Sequence, residues 1–151
     1  MVARALTESG FPAHRLELEI TESVLLHDRE STLRTLHQLK AMGICLVMDD
    51  FGTGYSSLSN LQCFPFDKIK IDKSFISGVT DDATARSIVR AIVGLGQSLN
   101  LPVVAEGVET PEQHRMVLEE GCPQAQGYLF GRPAQPLAGV QPAASALRRR
   151  P

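Results

Sequence analysis

The feature of this sequence that most constrains its fold is a regular alternation of apolar, strand-like segments with helical ones. The five strand-like segments are residues 16–20, 44–48, 68–71, 101–105 and 126–130. Three of the four intervals between them hold a clear helical pattern, at residues 29–42, 83–99 and 111–120. The second interval holds only a short helical piece near residues 56–61. Strands that alternate with helices are typical of a parallel sheet, so the pattern predicts an α/β fold.

The composition narrows the class of protein further. The 151 residues are 43% hydrophobic and 21% charged, which predicts one globular domain with a core of its own. A net charge of −2 gives no basic surface for nucleic acid. No apolar run reaches the ~18 residues of a membrane span, and residues 1–10 lack the apolar centre of a signal peptide. The number of cysteines, three, is odd, and no two of them have CxxC spacing. The sequence therefore predicts neither a disulfide framework nor a zinc site, and it favours a protein of the reducing cytoplasm.

Ionisable side chains recur where the predicted strands end. They are Glu19 and Glu22 for the first strand, Asp49 and Asp50 for the second, Lys70 and Asp72 for the third, and Glu106 and Glu109 for the fourth, with Gln126 opening the fifth. In parallel sheets and barrels, ligands bind at the carboxyl ends of the strands. A single acidic residue there is most often a helix cap or a loop residue. Several like charges on one rim, however, repel one another unless a cation or a cationic substrate lies among them.

The residue types on this rim favour a particular chemistry. The cluster is rich in oxygen ligands and lacks histidine and cysteine, which indicates Mg²⁺ or Mn²⁺ rather than zinc. Adjacent carboxylates such as Asp49 and Asp50 can hold two metal ions close together, and such pairs activate water and neutralise phosphate. Lys70 adds a positive charge that could hold a hydroxide or a phosphate oxygen. These residues therefore favour a two-metal phosphodiesterase.

Five motifs resemble, in order and spacing, those of the EAL domain family. They are LELEITE at 16–22, DDFGTGYSS at 49–57, KIKIDKSF at 68–75, VAEGVE at 104–109 and QGYLFGRP at 126–133. The resemblance covers residues 1–133 and leaves residues 134–151 as a tail that we expect to be mobile. It implies hydrolysis of cyclic di-GMP to linear pGpG in bacterial second-messenger signalling. It also implies a variant TIM barrel.

The resemblance implies a role for each residue of the rim. Glu19 and Asp49 are expected to be metal ligands, and Asp50 a ligand of the second metal. Lys70 is expected to lie beside the catalytic water, and Glu106 to complete the metal and water site. Further contacts to the substrate or to the supporting loop, residues 50–58, are expected from Glu22, Asp72, Glu109 and Gln126.

The resemblance also implies that part of the barrel is absent from this sequence. Five strands are fewer than the eight of a complete barrel. The missing segments include the Glu-Ala-Leu strand that names the family and a strand ending in Asn, each with a metal ligand. We therefore expect an incomplete TIM-type (β/α) barrel whose free edges associate, as a homo-oligomer or with a partner that supplies strands. Pro123 is a smaller departure, because the family usually has Asp there.

Three hypotheses about function stay open at this stage. The first is an EAL-type phosphodiesterase, whose activity in this chain alone is left undecided. The second is a non-catalytic regulatory remnant that binds cyclic di-GMP or another protein through the rim. The third is a pseudogene product without function. The retained acidic residues and Lys70 favour descent from an active enzyme.

Overall fold

A computed structural model describes residues 1–26, 28–53 and 58–134 of the chain. Within these residues, five parallel strands form one sheet in the order β1-β2-β3-β4-β5. The strands are β1 Glu17–Thr21, β2 Cys45–Phe51, β3 Lys68–Ile71, β4 Val103–Ala105 and β5 Gln124–Ala125. This sequential order is that of a (β/α) barrel rather than of a doubly wound sheet, whose strand order reverses at its centre. The predicted incomplete TIM-type barrel of five parallel strands is confirmed.

Six α-helices lie among the described residues. They are α1 Val2–Ser9, α2 Arg29–Ala41, α3 Leu58–Cys63, α4 Lys73–Ser77, α5 Ala83–Leu99 and α6 Pro111–Glu119. Side-chain caps start several of them: Asp28 accepts from the amide of Ser31 at α2, and Asp82 accepts from the amide of Thr84 at α5. None of the described helices has the length and the apolar content that crossing a bilayer requires.

The core lies between the sheet and its helices. Alternate strand residues such as Leu46, Met48, Ile69 and Ile71 are fully buried in one apolar cluster, which also contains helix residues such as Val89. Each side chain of this kind contributes about 1.5–3 kcal/mol when it is fully buried. Because side chains alternate along a strand, the positions in between project to the other face of the sheet. That second face carries the charged residues.

Two predictions about local structure are wrong. The strand predicted at 126–130 lies instead at Gln124–Ala125, and residues 128–130 form a turn. The chain turns there because Gly127 lies against the backbone of Val108, whose carbonyl then accepts from the amide of Leu129 at 3.0 Å. Helix α4 was not predicted, because five residues are too few to show a helical period.

Two further predictions fall largely outside the described residues. The short helical piece predicted near 56–61 is α3 from Leu58 onward, and residues 56 and 57 are not described. The predicted tail begins at residue 134, the last described residue. The boundary between the domain and a mobile tail therefore stays a prediction.

Candidate active site

Lys70 is the centre of the charged face. Its side chain is only 6% exposed, and its ammonium donates to Glu19 Oε1 at 2.7 Å. The same nitrogen lies 3.2 Å from Asp49 Oδ1 and forms an ion pair with Glu106. Side chains from β1, β2 and β3 and from the residue after β4 are thus brought together, on the rim where the sequence predicts them.

Strand register accounts for this convergence. Thr21, the last residue of β1, pairs with Asp49 of β2. Ile71 pairs with Ala105, and its carbonyl accepts from the amide of Glu106 at 3.2 Å. Parallel strands in register bring their carboxyl ends to one edge, which is where these side chains meet. One level below, Lys68 donates to Glu17 at 2.6 Å, a pair that the sequence analysis missed.

Asp49 and Asp50 lie on the same side of the sheet edge although they are neighbours in β2. In a regular strand, adjacent side chains point to opposite faces. Here the pairing of β2 with β3 shifts register between Met48 and Phe51, and Asp50 has a left-handed backbone with φ 53°. A bulge of this kind re-aims a side chain and is common beside active sites. It allows both carboxylates to reach one cluster.

The carboxylates of Asp49, Asp50 and Glu106 form a cluster that suits a divalent cation. Each of the three offers one oxygen, and these oxygens all lie within 4.8 Å of one another. Asp49 Oδ1 is buried and accepts no hydrogen bond from any described residue, since the Lys70 ammonium beside it forms an ion pair without hydrogen-bond geometry. An oxygen-only set with a buried, unsatisfied acceptor fits Mg²⁺, Mn²⁺ or Ca²⁺ better than zinc.

The pKa values of the cluster reflect crowded negative charge. Burial raises the pKa of Glu106, and the charges of Asp49 and Glu19 add to this against the opposing effect of Lys70. Burial and the neighbouring charge of Asp49 also raise the pKa of Asp50. Burial alone would lower the pKa of Lys70, but its hydrogen bonds to Glu106 and Glu19 outweigh burial and raise it. Lys70 is therefore charged at neutral pH. Its single positive charge does not balance the negative charges of the carboxylates around it.

Asp72 and Gln126 hold the two ends of the cluster. Asp72 caps α4 by accepting from the amide of Ser74 at 2.9 Å, and its charge lies close enough to Asp50 to help raise the pKa of that carboxyl. Burial would raise the pKa of Asp72, but its hydrogen bonds with Ser74 lower it. At the other end, Gln126 Nε2 donates to Glu106 Oε1 at 2.6 Å, which fixes that carboxylate.

Glu22 and Glu109 lie apart from the cluster. Glu22 is buried after β1, and neither of its carboxylate oxygens has a hydrogen-bond partner among the described residues. Its predicted contact with the loop at 50–58 stays a prediction, because residues 54–57 are not described. Glu109 lines a cavity of about 680 Å³ that also reaches Glu106 and Gln126.

That cavity contains residues to which the sequence analysis assigned no role. Its wall includes Lys73, Tyr128 and Arg132, and the guanidinium of Arg132 lies 4.5 Å from the centre of the Tyr128 ring. Lys73 and Arg132 could have been found from the sequence, because each is a cation within a motif that contributes to the acidic rim. The cavity therefore combines an aromatic ring and two cations next to the carboxylates, a lining that can accept an anionic, ring-containing ligand.

Fold and site together define a class of protein: a parallel, barrel-type α/β domain with an acidic, lysine-centred site at the carboxyl ends of its strands. Comparison with known proteins makes the class specific. The sequence matches the EAL domain family over residues 1–133, and the chain belongs to that family.

Relatives and solved structures agree with this assignment. An uncharacterized signaling protein of Caulobacter vibrioides is 56% identical over 89% of the chain, and the cyclic di-GMP phosphodiesterase NbdA of Pseudomonas aeruginosa is 45% identical over 93%. The PaMucR phosphodiesterase, solved in complex with c-di-GMP, superimposes on 97% of the chain with TM-score 0.83 and 44% identity. Klebsiella pneumoniae BlrP1, solved with manganese and cy-diGMP, superimposes on 87% of the chain with TM-score 0.82 and 35% identity.

The chain corresponds to only a part of each of these proteins. It spans 17% of the Caulobacter protein and 18% of NbdA. It spans 56% of the PaMucR chain and 34% of the BlrP1 chain.

Proposed function

We propose that these residues belong to a metal-dependent phosphodiesterase that hydrolyses cyclic di-GMP to linear pGpG. The observation that carries this proposal is the meeting of Asp49, Asp50 and Glu106 around the buried ammonium of Lys70. The c-di-GMP complexes of PaMucR and BlrP1, at 44% and 35% identity, support the choice of substrate.

Divalent ions fit the residues present. Asp49, Asp50 and Glu106 would hold them, with Glu19 as a further ligand, because their oxygens are close together and one is buried without a hydrogen bond. The manganese complex of BlrP1 supports Mn²⁺, and Mg²⁺ suits the same oxygen donors. When bound, such ions supply Lewis-acid polarisation of the phosphate and a nucleophilic water at neutral pH.

The chain's own residues would orient and balance the charges of the reaction. Hydrolysis adds one water across a P–O bond of the cyclic dinucleotide: the hydroxide adds to phosphorus, the proton goes to the leaving ribose oxygen, and the opened chain carries a terminal phosphate and a free hydroxyl. Lys70 would hold a phosphate oxygen or the attacking water with its ammonium, which stays charged because of its hydrogen bonds to Glu19 and Glu106. Gln126 would keep the Glu106 carboxylate in place throughout.

Lys73, Arg132 and Tyr128 would form the wall of the substrate site. Their cations can offset the phosphates, and the tyrosine ring offers a flat apolar face beside them. We also propose a cytoplasmic location, supported by three cysteines that are all free thiols. Association with a second copy or a partner at the outer edges of β1 and β5 likewise remains a proposal.

The test is hydrolysis of cyclic di-GMP by the full-length protein with Mg²⁺ or Mn²⁺. Replacing Lys70 with methionine is expected to lower kcat about 10²–10³-fold, as removal of a transition-state donor does. Lys40→Met is the matched control, because Lys40 forms an ion pair with Asp67, outside the site. Binding of cyclic di-GMP without turnover in the wild-type protein would instead support the regulatory alternative. Equal rates for the two variants would contradict the role of Lys70.

A further inference from the structure

Helix α4 is short but firmly anchored. It follows β3 directly, begins after the cap at Asp72, and ends at Gly78. Its residue Ile76 is fully buried in the core. A Cβ placed at Gly78 would lie 3.3 Å from the Cβ of Ala85, so the end of α4 packs closely on α5. These contacts hold α4 in a defined position beside the site.

One side of α4 supports the end of β2. Gly52 has φ 100°, and a Cβ placed there would lie 2.9 Å from Cε2 of Phe75 and 3.5 Å from Cδ1 of Ile92. The backbone of residue 52 thus lies directly on the edge of the Phe75 ring. Only two residues earlier is Asp50, whose backbone has φ 53° and whose carboxyl lies near Asp72, the cap of α4.

The other side of α4 supports the chain after β4. Gly107 has φ 69°, and a Cβ placed there would lie 2.6 Å from the Cβ of Lys73. Gly107 immediately follows Glu106. The first residue of α4 therefore limits where the backbone next to Glu106 can lie, while the third residue, Phe75, limits the backbone next to Asp50.

We propose that α4 is a bracket that sets the separation between the segment 49–52 and the segment 106–107, with Phe75 as its main positioning residue. The proposal rests on the proposed function, since these segments carry the three carboxylates expected to hold the metal ions. Phe75 touches none of the reacting groups. It acts by keeping the backbone that carries Asp49 and Asp50 in its bulged, left-handed path.

The test compares Phe75→Leu with Phe66→Leu in the full-length protein. Phe66 is a matched control because it is a phenylalanine of the apolar cluster against which Phe75 packs, but it precedes β3, at the opposite end of the sheet from the site. Titration with Mn²⁺, followed by electron paramagnetic resonance, is expected to show a dissociation constant about 10-fold higher for Phe75→Leu. The control is expected to change it less than about 2-fold, the range of a substitution remote from the ligands. Hydrolysis should show the same contrast.

A second measurement does not depend on metal. Amide hydrogen exchange of the metal-free protein is expected to be faster at residues 50–53 and 106–108 in Phe75→Leu but not in Phe66→Leu. The proposed role of α4 would be wrong if Phe75→Leu bound Mn²⁺ with wild-type affinity, or if both variants lost Mn²⁺ affinity equally. If the wild-type protein binds no Mn²⁺, the proposed function is wrong, and the exchange rates alone then test the role of α4. Unchanged exchange rates at both segments in Phe75→Leu would show that α4 does not position them.

Discussion

Replacing Glu120 with glutamine is expected to lower the free energy of unfolding by about 2 kcal/mol at neutral pH. The Glu120 side chain is only 2% exposed and lies between two arginines of α5. It forms an ion pair with Arg86 and accepts from Arg90 Nε at 2.5 Å and Arg90 Nη2 at 3.0 Å. This pair of contacts ties the end of α6 to α5, away from the candidate active site.

The magnitude follows from the carboxyl group's pKa. The hydrogen bonds from Arg90 and then Arg86 lower the pKa of Glu120 from its usual 4.5 to about 2. At about 1.4 kcal/mol for each pKa unit, this corresponds to about 3 kcal/mol. The Arg90 side chain is 68% exposed, so solvent screens part of the attraction and we expect about 2 kcal/mol. Because the folded pKa is lowered, this stability is fully present above pH 4.5 and is lost as the pH falls towards 2.

The assay is urea unfolding followed by circular dichroism at pH 7 and pH 3. The difference between wild type and Glu120→Gln should fall to about half or less at pH 3. Glu112→Gln is the control, because Glu112 is exposed in the first turn of the same helix and should change stability by less than about 0.5 kcal/mol. A Glu120→Gln effect that stays the same at both pH values would refute the reasoning, since the loss would then come from packing and not from charge.

Two further predictions concern glycine and glutamine positions near the site. Gly127→Ala should lower the free energy of unfolding by more than about 3 kcal/mol, because the new Cβ would lie 2.2 Å from the backbone of Val108. Gly131→Ala is the control: Gly131 has a similar φ, but a Cβ there would meet nothing within 4 Å, so the loss in the same urea assay should be much smaller. Equal losses for the two glycines would contradict the close approach of the backbones. Gln126→Leu should lower kcat by about 10-fold with little change in melting temperature, because it removes the hydrogen bond that fixes Glu106. An unchanged kcat would show that Glu106 is held by other means.

The alternation of strands and helices was enough to predict the rim on which the site residues meet, although Glu22 and Glu109 of that rim lie apart from the cluster. Glu19, Asp49 and Lys70 lie in β1, β2 and β3, and Glu106 directly follows β4; the parallel pairing of these strands brings the four side chains to one rim. The sequence could not show how Asp50 joins its neighbour, because the period of a strand places adjacent residues on opposite faces. Only the register shift in β2 and the left-handed φ at Asp50 explain it.

Other features depend on contacts between residues that are distant in the sequence. The apolar run at 126–130 resembled a strand, but Gly127 packs on Val108 and turns the chain, which leaves Tyr128 and Phe130 exposed. Likewise, nothing in the spacing of Arg86 and Arg90 on α5 indicated that both would contact Glu120, the residue that follows α6. Such contacts are set by how the helices pack on the sheet, and local patterns do not record them.

The central claim is that Asp49, Asp50 and Glu106 hold the metal ions that act on cyclic di-GMP. Anomalous diffraction from crystals of the full-length protein, grown with Mn²⁺ and cyclic di-GMP, tests it most directly. We predict Mn²⁺ peaks within about 2.5 Å of carboxylate oxygens of these three residues, with the dinucleotide phosphate beside them. Mn²⁺ bound elsewhere, or cyclic di-GMP bound with no peak at this cluster, would contradict the account.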